Sequence, residues 1–203
     1  EIVQYMVDES LVAHLKRTVG DELEDEYRKL LAYADSETVL TEQQKLAIMQ
    51  SLYNCRILDP ACGSGAFPVG VLQQMVHILK QIDPDNSRWK NMLLQFAIDE
   101  TSEAYLTSTA EERREAVADI ERAFDENVNY PDYARKLHLI ENCIYGVDIQ
   151  PIAIQISKLR FFISLVIDQK RNNNPADNFG IRPLPNLEAK FVAANSLLGL
   201  KRT

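Results

Sequence analysis

The chain has 203 residues, of which 46% are apolar and 26% are charged, so it can form one folded domain with a core. Its formal net charge of −8 argues against a broad phosphate-binding face, because such a face needs clustered lysine and arginine. No apolar run approaches the roughly 18 residues of a membrane span, and the first residues lack the pattern of a secretory signal. We therefore expect no membrane partner. Because the chain does not begin with methionine, we expect it to be part of a longer protein.

The three cysteines, Cys55, Cys62 and Cys143, form no C-x-x-C pair. An odd number of cysteines without metal-type spacing predicts reduced thiols in an intracellular protein, and no metal site. Cys62 lies in a glycine-containing loop, but no neighbouring pattern supplies a base for it. We interpret Cys62 as a small loop residue rather than a nucleophile.

Residues 1–54 are predicted to form an N-terminal helical segment. Asp8 is a candidate N-cap for a helix with one apolar face. Thr41 and Gln44 have the spacing of a capping box before another apolar periodic run. Both patterns predict helices that lead into the domain that follows.

A strand, a glycine loop and a helix are predicted to follow one another from residue 55 onwards. "CRILDP", residues 55–60, is a short apolar run that Pro60 stops, and we interpret it as a buried strand that ends at Asp59. The loop "ACGSG" comes next, and apolar residues recur at helical spacing from Ala66 onwards. The glycine loop therefore joins the end of a strand to the start of a helix.

Residues 83–140 differ in character and are predicted to be a helical insertion. "DPDNSRWK" is a turn-rich break, and the segment 108–124 combines a Ser108–Glu111 capping box with a dense pattern of charges. We interpret this region as one or two solvated helices whose charges form an exposed face.

A second strand, a helix and a third strand complete the predicted order. "CIYGVDIQP", residues 143–151, is an apolar run that also ends in a carboxylate, Asp148, and Pro151 suits the first turn of a helix. The apolar residues that follow at helical spacing are Ile152, Ile156, Leu159, Ile163 and Val166. "KFVAANSL", residues 190–197, predicts the third strand. Strands that alternate with helices predict an α/β fold with a parallel sheet.

Three kinds of nucleotide-binding loop could follow the first strand. A phosphate-binding P-loop ends in Gly-Lys-Ser/Thr, but no lysine follows Gly70 until Lys80. A dinucleotide-binding loop needs a third glycine three residues after Gly65, where this chain has Pro68. The carboxylate of Asp59 at the strand end would also repel a pyrophosphate.

The third candidate ligand is S-adenosylmethionine, which has a zwitterionic methionine end, a ribose and an adenine but no phosphate. Its site needs close backbone approach near the methionine, a carboxylate for the ribose and a polar group for the adenine edge. Asp59 with the glycine loop, Asp148 and Asn195 follow three successive predicted strands. Because strand ends of a doubly wound sheet meet at one crevice, this pattern favours S-adenosylmethionine.

The same segments resemble the motifs of amino-group DNA methyltransferases, in particular the adenine-N6 enzymes of restriction-modification systems. "DPACGSGAF" resembles their motif I, and "IYGVDIQPIAIQISKLRFFISL" resembles their motif II. "LPNLEAKFVAANSL" resembles the approach to motif III in their long single-chain members, and "EIVQYMV" resembles the end of their motif X region. The resemblance implies a Rossmann-like S-adenosylmethionine-dependent methyltransferase fold with a partial parallel sheet, in which residues 55–203 are the cofactor-binding half.

The resemblance also implies a role for each matched residue. The residues implied to lie against the methionine part through their backbone are Ala61, Cys62, Gly63 and Gly65. Asp59 would orient the amino end of the cofactor, and Asp148 would accept hydrogen bonds from the ribose hydroxyls. Ile149 would pack on the adenine ring, and Asn195 would lie near the adenine edge, where family members often carry aspartate.

The family's catalytic motif does not occur in these 203 residues. It is Asn-Pro-Pro-Tyr/Phe and holds the flipped base, whereas "NNNPADNF" has Ala176 at the position of the second proline. The resemblance therefore implies the cofactor-binding portion of a prokaryotic, cytoplasmic enzyme that methylates adenine N6 in DNA. Double-stranded DNA would be bound through segments outside this chain, with restriction or specificity subunits as further partners. The alternatives are an RNA or protein-glutamine methyltransferase, or a non-catalytic or NAD-binding module.

Overall fold

The computed structural model describes residues 1–33, 38–103, 110–183 and 185–198, with the side chains of these ranges except 99–103, 110, 113 and 177. The α-helices are α1 (Ile2–Thr18), α2 (Glu24–Leu31), α3 (Glu42–Asn54), α4 (Ala66–Ile82), α5 (Ser87–Glu103), α6 (Ala110–Ala123), α7 (Asp132–Asn142) and α8 (Pro151–Val166). The strands are β1 (Ile57–Asp59), β2 (Ile144–Asp148) and β3 (Phe191–Ala193). Short 3-10 helices cover Asp21–Leu23 and Pro175–Gly180.

The strands form a small parallel sheet in the order β1-β2-β3. Asp59 of β1 lies opposite Gly146 of β2, which lies opposite Phe191 of β3. A helix follows β1 and another follows β2, as the alternation of strands and helices predicted. The described chain is therefore an α/β protein with a three-stranded parallel sheet and mostly helices, an arrangement compatible with a Rossmann-like fold.

The two faces of the sheet differ in how far they are covered. On one face Ile144 and Phe191 are buried, and the ring of Phe161 from α8 lies 4.8 Å from that of Phe191. On the other face Leu58 is 59% exposed and Val192 is 41% exposed. The prediction that β1 is a buried strand is therefore wrong at Leu58. Parallel sheets usually bury both faces, and the described residues cover one of them.

The N-terminal helices pack against α4. Because α1 already begins at Ile2, Asp8 lies inside the helix, and the prediction that it is an N-cap is wrong. Its carboxylate instead accepts a hydrogen bond from Nε2 of Gln74 in α4 (2.7 Å). The capping box of Thr41 and Gln44 is confirmed, since each side chain accepts a hydrogen bond from the backbone N–H of the other residue.

The region 83–140 holds more packed structure than its charge pattern predicted. Trp89 of α5 and Leu139 of α7 are fully buried, and α7 contacts α4, α8 and β2. The prediction of one or two solvated helices is therefore wrong for α7 and for the first half of α5, whereas α6 is largely exposed. The predicted capping box at Ser108 lies outside the described residues. Charge density indicates exposure, but it does not reveal the apolar side of a neighbouring helix.

α8 begins with Pro151, as predicted, and is apolar on two opposite sides. The side that faces the sheet and α4 carries Ile154, Ser157, Phe161 and Leu165, all buried. The opposite side carries the periodic residues Ile152, Ile156, Leu159 and Ile163, all exposed. No helix within the described ranges is both long enough and apolar enough to cross a membrane.

Candidate functional site

Two carboxylates lie at the ends of neighbouring strands. Asp59 ends β1 and Asp148 ends β2. Because Asp59 pairs with Gly146, Asp148 lies two residues further along the adjacent strand, which separates the two Cα atoms by about 8 Å. Paired residues and residues two apart on a strand share a face, so both carboxylates are on the side that the helices cover.

The loop between β1 and α4 is hydrogen-bonded to both carboxylates. The N–H of Ala61 donates to Oδ1 of Asp59 (3.1 Å), and the N–H of Gly63 donates to Oδ2 of Asp148 (2.9 Å). The other oxygen of Asp148 accepts the N–H of Gln150 (2.8 Å). Since each carboxylate oxygen has two lone pairs, both acids keep capacity to accept hydrogen bonds from a ligand.

Two glycines allow the chain to turn here. Gly63 has φ = 53° and Gly65 has φ = 82°, the left-handed region that favours glycine. A Cβ at Gly63 would meet no atom within 4 Å, whereas a Cβ at Gly65 would lie 2.8 Å from Oγ of Ser157. Gly63 therefore adjoins open space at the end of the sheet, and Gly65 is packed against α8.

Two residues of α8 also hold the loop, and the sequence did not single them out. Oγ of Ser157 donates to the carbonyl of Gly63 (2.9 Å), and Nη1 of Arg160 donates to the carbonyl of Ser64 (3.2 Å). Ser157 is fully buried. A hydroxyl within an otherwise apolar helical stripe was the one signal that could have revealed this contact.

Cys62 is a buried residue of the loop. Its N–H donates to the carbonyl of Val147 (2.9 Å), and its Sγ would lie 2.9 Å from a Cβ at Gly146. Burial, followed by the negative charge of Asp59, raises the pKa of the Cys62 thiol. Because the thiolate is the nucleophilic form, this environment suits a packing residue and disfavours nucleophilic chemistry.

The last two predicted site residues lie at the same end of the sheet. Ile149 directly follows Asp148 and is 67% exposed. The N–H of Ala194 donates to the carbonyl of Asp148 (2.9 Å), so the chain after β3 is held beside β2. Asn195 comes next, and its Oδ1 accepts the N–H of Leu197 (3.0 Å) in a turn.

Four backbone donors of the loop are already used within the protein. Besides the amides of Ala61, Cys62 and Gly63, the N–H of Gly65 donates to the carbonyl of Cys62 (2.9 Å). These amides are therefore committed to acceptors of the protein, whereas a phosphate-binding loop points its amides at the ligand. The carboxylate oxygens of Asp59 and Asp148, by contrast, can accept further hydrogen bonds of the kind that ammonium and hydroxyl groups donate.

A cavity of about 730 Å³ lies at the opposite edge of the sheet. Arg56, which directly precedes β1, and Asn142, the last residue of α7, line it together with Tyr133 and His138. None of the residues of the Asp59–Asp148 site lines this cavity, so the cavity and the strand-end site are separate features. Within the described ranges, no group of three or more His, Cys, Asp and Glu side chains is placed to hold a metal ion.

Comparison with curated proteins found one modest similarity. The chain is 28% identical over 175 residues to a candidate type II restriction enzyme and methyltransferase of Methanocaldococcus jannaschii. The alignment covers 82% of this chain but only 11% of that relative, so the chain spans about a ninth of the relative's length. No family model and no solved structure matches the chain.

Proposed function

We propose that this chain is the S-adenosylmethionine-binding part of a methyltransferase in a restriction-modification system. The observation that carries the proposal is the glycine loop, in which the amides of Ala61, Cys62, Gly63 and Gly65 bond to the protein itself while the carboxylates of Asp59 and Asp148 keep capacity to accept hydrogen bonds from a ligand. S-adenosylmethionine fits this site because it offers an ammonium group and two ribose hydroxyls and has no phosphate. The name of the relative from Methanocaldococcus jannaschii supports the same activity.

Each site residue has a role in the proposal that follows from its position. The open space beside Gly63 accommodates the methionine part, with the carboxylate of Asp59 binding its ammonium group. Asp148 accepts hydrogen bonds from the ribose hydroxyls while it holds the amide of Gly63. The exposed side chain of Ile149 packs on the adenine ring, and the amide nitrogen of Asn195 donates to its edge. Bound S-adenosylmethionine supplies the methyl group for transfer.

We further propose a methyl acceptor and partners for the longer enzyme to which this chain would belong. The methyl acceptor is N6 of adenine in double-stranded DNA, flipped into a pocket that other segments of a longer protein provide. Those segments also supply the positive surface for DNA, because the net charge of this chain is −8. Restriction or specificity subunits act with the enzyme, and the setting is the prokaryotic cytoplasm.

Calorimetric titration tests the cofactor assignment. We expect the chain to bind S-adenosylhomocysteine, the product form of the cofactor, and not to bind NAD. Asp148→Asn should weaken this binding by about 10- to 100-fold, because a charged hydrogen-bond acceptor is worth about 1.5–3 kcal/mol. The matched control is Glu121→Gln, which changes an exposed carboxylate on α6 and should leave the affinity unchanged.

Other results would overturn the assignment or redirect it. Binding of NAD in place of S-adenosylhomocysteine would favour the dinucleotide alternative. If S-adenosylhomocysteine binds as expected, methylation assays of the longer protein with DNA, RNA and a glutamine-containing peptide would then test the proposed acceptor. Transfer to RNA or to the peptide alone would contradict adenine N6 while leaving the cofactor site in place.

A further inference from the structure

The cavity of about 730 Å³ at the opposite edge of the sheet has the size of a small-molecule site. Pockets that bind drug-sized molecules have volumes of about 300–1,000 Å³, with mostly apolar walls and a few polar groups. Residues of α5, α6 and α7 line this cavity, and none of them belongs to the Asp59–Asp148 site. The proposed cofactor therefore does not account for the cavity.

Most of the residues that line the cavity are aromatic or aliphatic. The aromatic rings are those of Tyr53, Phe124, Tyr133 and His138. The ring of Tyr53 is stacked on that of His138 at 4.5 Å and on that of Phe96 at 4.4 Å, so packing holds this part of the wall in place. Burial lowers the pKa of His138 to about 4, so its imidazole is uncharged at neutral pH. Such a wall suits an aromatic ligand, because rings pack favourably face to face or edge to face.

Two hydrogen-bond donors at the cavity have no partner among the described residues. The N–H of Arg182 donates to Oε1 of Gln169 (2.7 Å), which holds the backbone, whereas the guanidinium group makes no hydrogen bond or ion pair there. Tyr133 is 3% exposed, and its hydroxyl group is also without a hydrogen bond in this part of the chain. Burial raises the pKa of Tyr133, so the hydroxyl stays protonated and can donate. Because buried polar groups are normally paired, these two donors indicate a ligand that accepts hydrogen bonds.

Positive charge prevails at this cavity, although the chain as a whole has a net charge of −8. The charged residues that line it are Arg56, Arg122, Arg182, Asp119 and Glu141. Arg122 and Asp119 form an ion pair with each other (3.4 Å). This leaves two arginines and one glutamate to act on a ligand. The balance favours a negatively charged ligand over a positively charged one.

We propose that this cavity binds a small aromatic carboxylate. The ring of the ligand lies against the apolar wall beside Phe124 and His138, and its carboxylate accepts hydrogen bonds from the Arg182 guanidinium and the Tyr133 hydroxyl. Binding is non-covalent and takes place away from the ends of β1 and β2. It is therefore independent of the proposed methyltransferase function, and either assignment can fail without the other.

Amide NMR of the nitrogen-15-labelled chain tests this proposal with three compounds of one shape. These are 3-phenylpropionate, 3-phenylpropanamide and 3-phenylpropylamine, which carry a negative, no and a positive charge. We expect 3-phenylpropionate to bind with a dissociation constant below about 1 mM and to shift the amides of Ile120 and Leu137. The amide should bind about fivefold more weakly, and the amine more weakly still. Equal affinities for the three, shifts confined to the glycine loop, or no shift at about 10 mM would contradict the proposal.

Charge substitutions of opposite sign test the contact with the carboxylate. Arg182→Gln should abolish the preference for the acid over the amide, whereas Glu141→Gln should strengthen binding of the acid. The matched control is Arg114→Gln, which removes an exposed arginine of α6 and should leave both affinities unchanged. An undiminished preference for the acid in Arg182→Gln would refute the assigned contact.

Filling the cavity tests its location. Ala116→Phe places a ring in the cavity from α6 and should weaken binding of the acid and of the amide by at least about tenfold. Ala118→Phe adds the same ring to an exposed position of that helix and should bind like the native chain. Unchanged amide positions at the glycine loop in both variants would show that the fold is retained. Undiminished binding by a folded Ala116→Phe would rule out the cavity as the site.

Discussion

Gly63 and Gly65 are glycines for different physical reasons. Both have positive φ, so any other residue would introduce backbone strain of about 1–2 kcal/mol. Only Gly65 is also packed, with Oγ of Ser157 at 2.8 Å from the position of a Cβ. Gly63 borders open space, which is where the proposal places the cofactor. Substitution of Gly65 therefore tests the packing of the loop, whereas substitution of Gly63 tests ligand binding.

Alanine at each glycine should have a distinct effect. Gly65→Ala should lower the free energy of unfolding by about 2–3 kcal/mol, because strain and overpacking against Ser157 add. Gly63→Ala should cost only about 1 kcal/mol of stability and yet abolish most S-adenosylhomocysteine binding, since its Cβ enters the ligand space. Urea unfolding and calorimetry measure the two quantities. An unchanged affinity of Gly63→Ala would contradict the placement of the ligand.

The residues of the candidate site divide into those that local sequence predicts and those that it cannot. Asp59 and Asp148 were predictable because each ends an apolar run, and the parallel sheet then brings such ends together. The contacts of Ser157 and Arg160 with the loop join residues that are 94 and 96 positions apart. Such contacts depend on how α8 packs against α4, which no local pattern specifies.

At the scale of elements, α3, α5 and α7 meet in a stack of rings. The ring of His138 lies 4.5 Å from that of Tyr53, with Trp89 edge-on at 5.4 Å. Burial, assisted by the positive charge of Arg56, lowers the pKa of His138 from 6.5 to about 4. The imidazole is therefore neutral in the folded protein throughout the physiological pH range.

This burial makes the protein sensitive to acid. Between pH 6.5 and pH 4 the unfolded chain binds a proton at His138 and the folded protein does not, so the free energy of unfolding falls as the pH is lowered. At pH 5 the contribution of this one group is a loss of about 2 kcal/mol relative to pH 7.5. Below about pH 4 both states are protonated and the loss stops increasing.

His138→Phe isolates this effect, because phenylalanine can stack but cannot titrate. Urea unfolding at pH 7.5 and pH 5 should show that the variant loses about 2 kcal/mol less than the native chain over this interval. Other groups that titrate in the same range, such as His14, contribute equally to both proteins. Equal losses in the two proteins would show that His138 is already protonated or solvated when folded.

The elements also show what periodicity can and cannot establish. Helical spacing correctly predicted α8 and its first residue, Pro151. It did not reveal which of the two apolar sides faces the sheet, because both sides carry aliphatic residues at helical intervals. The start of α1 was predicted too late because Asp8 is a residue type that often caps helices. The helix in fact begins at Ile2, six residues earlier.

At the scale of the whole molecule, the described chain covers one face of its sheet and leaves Leu58 and Val192 of the other face exposed. Parallel sheets are usually covered on both faces, so further structure is expected over this surface in a longer protein. In this account the cofactor binds in the open space beside Gly63, at the ends of β1 and β2.

The most direct test of the cofactor site is to locate the bound ligand by amide NMR of the nitrogen-15-labelled chain during titration with S-adenosylhomocysteine. We predict that the largest shifts occur at the amides of Ala61, Gly63, Gly65 and Ile149, which surround the ends of β1 and β2. Shifts confined to the residues around His138, at the opposite edge of the sheet, would contradict the account. So would the absence of any shift at millimolar ligand.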